Sequence, residues 1–179
     1  MQSLWKNIFR TQTSRESFAS LLSSTPMFSK LRDRDLDILK SFFHPRHYSA
    51  DELIFEQGEP ASGMYLIRTG SVRILFHKPD GTGAELARLG PGDFFGESSL
   101  AVPGTRNATA RTLESAELLG FFHSDLQDIL EKHPSLAGRL LFGLASTLGI
   151  RLQTCSAELL RDRLGVSACP IEPEEEQDA

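Results

Sequence analysis

At 179 residues the chain has the length of one domain with room for a long extra helix or tail. Hydrophobic residues make up 40% and charged residues 24%, so a core can form without disulfide support. The two cysteines, Cys155 and Cys169, form no CxxC pair, which argues against a zinc site and fits a reducing, cytoplasmic setting. The net charge of −5 is localised. The closing stretch PIEPEEEQDA holds five acids and no base, and removing those five leaves 19 acids against 19 bases. A neutral body with an acidic tail is a poor polyanion binder, so nucleic acid is not the expected partner. No run reaches the ~18 apolar residues needed to span a bilayer.

In chain order, MQSLWKNIFR is too short an apolar run for a secretory signal. Leu4, Trp5, Ile8 and Phe9 can share one face of a short helix that docks on the domain, with a membrane or targeting role as the alternative. Ser17 to Ser41 reads as helix in two pieces, broken at SSTPMF because Pro26 disfavours helix in the residue before it. Leu31, Leu36, Ile38 and Leu39 give the second piece its apolar face.

From Tyr48 to Phe122, short apolar runs alternate with glycine turns. LIFE (53–56), MYLIRT (64–69), SVRILF (71–76), AELARL (84–89) and AELLGFF (116–122) read as strands, broken at EQGEPASG, TG, KPDGTG and GPGD. The absence of intervening helices argues against a parallel α/β sheet and for a β-sandwich or roll. Beyond Phe122, Ser124 with Gln127 fits a capping box that opens a short helix ending near His133–Pro134. A long helix follows, Ser135 to Leu164, with Gly165 as its C-cap. Ala137, Leu141, Leu144, Leu148, Leu152, Cys155 and Leu159 form a heptad-like seam along it. At ~1.5 Å per residue this helix reaches about 45 Å, more than a compact roll spans. Its outer part is therefore expected to project and meet a second copy, the alternative being that the whole seam packs at home. The expected division is an N-terminal extension (1–24), a domain with its C-terminal helix (25–165) and an acidic, disordered tail (166–179).

Residues 94–110, FFGESSLAVPGTRNATA, carry two charges of opposite sign, Glu97 and Arg106, in an otherwise nearly uncharged stretch. Gly96 permits a sharp turn, ESSLAV makes about one helical turn, and Pro103–Gly104 stops it. Gly96 and Glu97 then lie at a helix N-terminus, where free N–H groups favour an anion. Arg106 adds a guanidinium that can grip two oxygens of one phosphate. Glu97 beside a phosphate site needs its own donor, and a ribose 2′-hydroxyl is one. A structural Glu97–Arg106 ion pair is the alternative.

G-E, a short helix, then R-N-A-T resembles the phosphate-binding cassette of cyclic nucleotide-binding domains, the family of catabolite activator proteins and protein kinase A regulatory subunits. EQGEPASGMYLIRTGSVRILF and LGPGDFFGE resemble its framework, and the likeness covers about residues 25 to 160. It implies a mostly β fold: an eight-stranded antiparallel β-roll, jelly-roll-like, with N-terminal helices and a long C-terminal helix that moves on ligand binding. It implies that Glu97 holds the ribose 2′-hydroxyl and Arg106 the cyclic phosphate. Gly96, Ser98 and Ser99 would offer N–H groups, while Ala108 and Thr109 line the pocket. Ser98 stands where relatives carry Leu or Ile, Ser99 where Ala or Gly is common, and Asn107 where cGMP-preferring relatives carry Thr. Asn107 can donate and accept, so it suits either purine. Residues 148–152 would cover the base, with Arg151 as stacking candidate.

The expected function is a stand-alone sensor of cAMP, with cGMP possible, that needs no cofactor. It acts on an unidentified protein effector and dimerises through its C-terminal helix. A ligand-free scaffolding roll is the alternative. Asn107-Ala-Thr109 matches a glycosylation sequon by chance, and GPGDFFG has the wrong spacing for a dinucleotide fingerprint. His44 and His47 lack further ligands for a metal. No nucleophile signature or spaced acid pair argues for an enzyme.

Overall fold

Pro26 lacks an N–H and fixes its own φ, and the chain breaks there as expected. The computed structural model describes residues 18–164. The expectations for Leu4 to Phe9, the Gly165 cap, Cys169 and the acidic tail lie outside them. Helix α1 (18–24) ends at Thr25, which is extended (φ −90°, ψ 121°), and Pro26–Phe28 forms a single 3-10 turn. Thr25 Oγ1 bonds the carbonyls of both Leu21 and Gly92 at 3.0 Å, tying this corner to the turn before the site.

Helix α2 (Asp33–Leu39) is capped by Asp35, whose Oδ2 accepts the Arg32 N–H at 2.9 Å. The Arg139 guanidinium also donates to both Asp35 oxygens, at 2.9 and 2.7 Å, across 104 residues of sequence. Burial raises the Asp35 carboxyl, but the bonds from Arg139 and the Arg32 N–H outweigh it and hold the group below its usual range. A depressed folded value means that its stabilisation is present above the unfolded value near 3.8 and is lost as pH falls through the folded one. Asp35→Asn is therefore expected to cost about 1–3 kcal/mol at neutral pH. It should also flatten this part of the acid loss in a melting series from pH 7 to pH 3.

The strands are all antiparallel. They are β1 (His44–Tyr48), β2 (Leu53–Phe55), β3 (Pro60–Ala61), β4 (Gly63–Thr69), β5 (Val72–His77), β6 (Gly83–Leu89), β7 (Phe94–Phe95), β8 (Gly104–Thr105), β9 (Thr109–Thr112) and β10 (Ala116–Phe122). One four-stranded sheet runs β1-β10-β4-β7 and the other β2-β9-β5-β6, while β3 and β8 form a two-residue ladder. The mostly β roll with flanking helices stands as expected, but the described residues hold ten strands, not eight. Three of them, Pro60–Ala61, Phe94–Phe95 and Gly104–Thr105, have two residues each, too short for any apolar alternation to mark them.

The main core lies between the first sheet and the helices, around Phe28, Phe43, Leu66, Leu100, Phe121 and Leu140. A smaller core between the two sheets holds Ile67, Val72, Phe95, Ala110 and Leu118. Strand β10 is buried along most of its length, as a strand covered on both faces should be.

Helix α4 (His123–Lys132) starts two residues earlier than the Ser124 cap requires. Its reciprocal bond comes from Asp125, whose Oδ2 accepts the Phe122 N–H at 2.9 Å, while Gln127 instead meets His123. Helix α5 (Pro134–Leu164) opens on a proline, which suits a first-turn position. Its seam holds only in part. Ala137 and Leu144 are buried and Leu141 and Leu148 half-buried, whereas Leu152, Cys155 and Leu159 are exposed; Leu136, Leu140 and Thr147, outside the seam, complete the buried face. No helix among the described residues is long and apolar enough to cross a membrane.

Candidate functional site

The site begins where β7 ends. Gly96 has φ +80°, a conformation that L side chains rarely adopt, and it turns the chain into Glu97 and helix α3 (Ser98–Ala101). The same glycine makes room: a Cβ there would lie 2.5 Å from Arg106 Nη1 and 3.1 Å from the Gly63 carbonyl oxygen.

Arg106 is fixed from both ends. Its N–H donates to the Glu59 carbonyl and its own carbonyl accepts from the Gly58 N–H, each at 2.8 Å. The residue is 8% exposed. Nη1 donates to the Gly63 carbonyl at 2.8 Å, and the guanidinium sits 4.0 Å from the centroid of the Phe55 ring and 5.9 Å from that of Tyr65. Its Nε is buried and, among the described residues, has no hydrogen-bond partner. Burial pulls this guanidinium below the usual arginine range, yet the group stays charged near neutrality. A desolvated cation with donors to spare is a standing demand for an oxyanion.

The Glu97–Arg106 ion pair considered as an alternative is not the pairing observed. Glu97, 8% exposed, accepts at Oε1 from Arg151 Nη1 on α5. Arg151 Nη2 donates to the Phe94 carbonyl at 3.2 Å, and its guanidinium lies 4.7 Å from the centroid of the Phe94 ring.

These groups border one cavity of about 460 Å³. Gly96, Glu97, Ser98, Ser99, Arg106, Asn107, Ala108 and Arg151 all line it. Thr109 does not: its Oγ1 accepts the Gln57 N–H at 3.0 Å and lies 3.3 Å from His77 Nδ1. The apolar wall of Phe55, Ile74, Leu86, Leu89 and Phe94, with Cys155 above it, was not anticipated. Leu86 is 59% exposed on the mostly exposed β6, so it fills no core. Two guanidinium groups, a carboxylate, a few small polar residues and an apolar wall thus border one cavity. That pattern suits an anionic ligand with a hydroxyl and a flat hydrophobic part.

Among the described residues no group of three or more His, Cys, Asp or Glu could hold a metal ion. His44 instead bonds both Asp125 oxygens, at 3.0 and 3.1 Å.

Residues 45–133, which include every part of the cassette, match a family model described as "Cyclic nucleotide-binding domain". The chain is 35% identical over 138 residues to the cyclic AMP receptor protein of Thermus thermophilus, covering 77% of this chain and 62% of that one. It is 31% identical to the cAMP-dependent protein kinase type II regulatory subunit of Drosophila melanogaster, covering 66% of this chain and 30% of that one. The chain thus spans less than two thirds of the length of these relatives. Among solved structures it resembles the N-terminal domain of a transcriptional regulator from Streptomyces coelicolor. The TM-score is 0.69 at 31% identity, covering 75% of this chain and 94% of that one. The roll, the glycine turn into Glu97, the buried Arg106 and these likenesses agree, and the chain belongs to the cyclic nucleotide-binding domain family.

Proposed function

We propose that this chain senses a cyclic purine mononucleotide, cAMP in preference to cGMP, and passes occupancy to a protein partner through α5. The observation that carries the reading is the Arg106 guanidinium, buried at the cavity wall, with its Nε unpartnered and no carboxylate bonded to it among the described residues. A cyclic phosphate supplies the missing acceptors. In this reading Glu97 takes the ribose 2′-hydroxyl, Gly96, Ser98 and Ser99 offer backbone N–H groups, and Ala108 walls the phosphate end. The apolar wall takes the base. Asn107, which donates and accepts, discriminates weakly between purines.

The names of the relatives, a cyclic AMP receptor and a cAMP-dependent kinase subunit, favour cAMP. The outer part of α5 supports association with a second copy, because Ile150, Leu152, Leu159, Leu160 and Leu164 are each more than half exposed on one helix. The reading is of a binding module, since the cavity offers an electrostatic seat and no nucleophile with an adjacent base.

Calorimetry of the full chain with cAMP, cGMP and a cyclic dinucleotide tests it. One site per chain for cAMP, with cGMP weaker and the dinucleotide inert, is expected. A chain that binds none of the three overturns the sensor reading and favours a ligand-free scaffolding role.

A further inference from the structure

The sheet β2-β9-β5-β6 carries three arginines in one line. Arg73 on β5 is the register partner of Arg88 on β6 and of Arg111 on β9. The adjoining Ile74 and Ala87 border the cavity, and Ala110 lies in the smaller core. By alternation the arginines therefore stand on the outer face of the sheet. Like charges directly opposite one another are destabilising. Among the described residues, no other register pair in either four-stranded sheet brings two like charges together.

Two carboxylates pair with these three cations among the described residues. Asp51 Oδ1 accepts from Arg73 Nη2 at 2.6 Å, and its Oδ2 lies 3.8 Å from Arg111 Nη1. Glu85 accepts from Arg88 Nε at 2.5 Å. One positive charge is left in excess, and the buried Arg73 Nε has no hydrogen-bond partner among the described residues. The Arg88 side chain is 69% exposed, and exposed pairs such as Arg88–Glu85 are weak, so an incoming carboxylate can compete for it.

A segment of opposite charge lies in the same chain. Beyond Leu164 the sequence has no Lys, Arg or His, and it holds Glu172, Glu174, Glu175, Glu176 and Asp178. Four of these acids fall two residues apart, so extended backbone would turn them to one side at intervals of about 6.7 Å. The three arginines, on strands about 4.8 Å apart, form a line of about 10 Å that such a segment can follow. Reach permits it. Cys155 borders the cavity beside Leu86, Ala87 and Leu89 of β6, and α5 ends nine residues, or about 14 Å, further on at Leu164. The stretch from 165 to 172 can span up to about 26 Å, enough to return to β6.

We propose that the acidic segment 172–178 docks across the outer face of β6, β5 and β9, its carboxylates on Arg88, Arg73 and Arg111. The chain beyond α5 is thereby folded back onto the roll. The segment crosses the strands and adds none to the sheet, because its partners are side chains lined up perpendicular to β6. The contact does not depend on what the cavity holds.

The test places a nitroxide on Cys169 of the full chain in a Cys155→Ser background, which leaves one thiol. At low salt the nitroxide is expected to broaden the amide signals around residues 73, 88 and 111. Arg88→Glu should reduce that broadening several-fold. Exchanging the five acids for their amides should do the same, and it leaves every residue of the fold untouched. Arg46→Glu, a reversal at an exposed arginine of β1 in the other sheet, should leave the broadening as it was. Raising the salt from about 0.01 M to about 1 M, which shortens the screening length from about 30 Å to about 3 Å, should also remove it. Broadening that is absent at low salt, or that neither charge change nor salt reduces, overturns the proposal. Diluting the doubly labelled chain with an excess of unlabelled chain should leave the broadening intact. Its loss on dilution would assign the docked segment to a second copy and overturn the proposal as well.

Discussion

Arg106→Ala is expected to weaken cAMP binding by tens- to a thousandfold while the chain stays folded. A charge-assisted contact between a buried guanidinium and a phosphate is worth about 2–5 kcal/mol when one side is removed. The upper part of that range applies here because the residue is 8% exposed and the other arginine of the cavity wall, Arg151, is paired with Glu97. Stability should change little, by about 1 kcal/mol or less, since two effects oppose. The variant loses the bond to the Gly63 carbonyl and the contact with the Phe55 ring, but it also sheds a desolvated charge whose Nε is unpartnered. A group kept at a cost to folding is what a ligand site is expected to contain. Arg106→Lys separates charge from shape: it keeps the cation and loses the planar fork, so an intermediate loss is expected. Calorimetry gives the affinities and a thermal melt gives the stability. Wild-type affinity in the alanine variant would remove Arg106 from the site altogether.

Legibility followed locality. Five strands were readable because Val, Ile, Leu and Phe run together between glycine turns. Strand β1, HPRHY, carries no such run and shows the burial of an edge; five register pairs with β10 hold it in the sheet. Strand β9, TART, is buried although half of it is threonine. Thr112 can be buried because its hydroxyl meets the Ser49 carbonyl and the Glu52 N–H, partners some 60 residues away. No window of sequence shows such a bond. The cassette was legible for the opposite reason, since Gly96 to Ala108 lie within one stretch of chain. The apolar wall was not, because Phe55, Ile74 and Leu86 come from three strands that only the fold brings together. Arg151 was singled out for its place on the long helix. Its partner, 54 residues earlier, could not be read from spacing. The capping residue of α4 was missed by a smaller margin: Ser124 and Gln127 fit the motif, but the helix starts two residues before that cap requires, and this puts Asp125 at its third position.

Gly143→Ala is expected to destabilise the chain although it replaces glycine by alanine inside a helix. Propensity alone would stabilise α5 by about 1 kcal/mol. A Cβ at this position, however, would lie 2.0 Å from the Met27 carbonyl oxygen and 2.9 Å from its carbon. Backbone that close must move, and it has little freedom: Met27 and Phe28 are 0% and 1% exposed, and the Phe28 N–H bonds the Thr25 carbonyl at 2.9 Å. The helix must therefore lift from the Pro26–Phe28 turn, at a net cost of about 1–3 kcal/mol. For a chain of this size that lowers the melting midpoint by about 2–4 °C per kcal/mol. Two glycines on the same helix serve as controls, since a Cβ at Gly138 or Gly149 meets nothing within 4 Å. Gly138→Ala and Gly149→Ala should each raise the midpoint. Because Gly143 lies two turns before Arg151, lifting α5 should also draw Arg151 from Glu97, so Gly143→Ala should speed amide exchange over the outer turns where the two controls slow it. If all three alanine variants stabilise alike, then close packing of α5 on this turn does not govern where the helix sits, and the route from cavity to helix must be sought elsewhere.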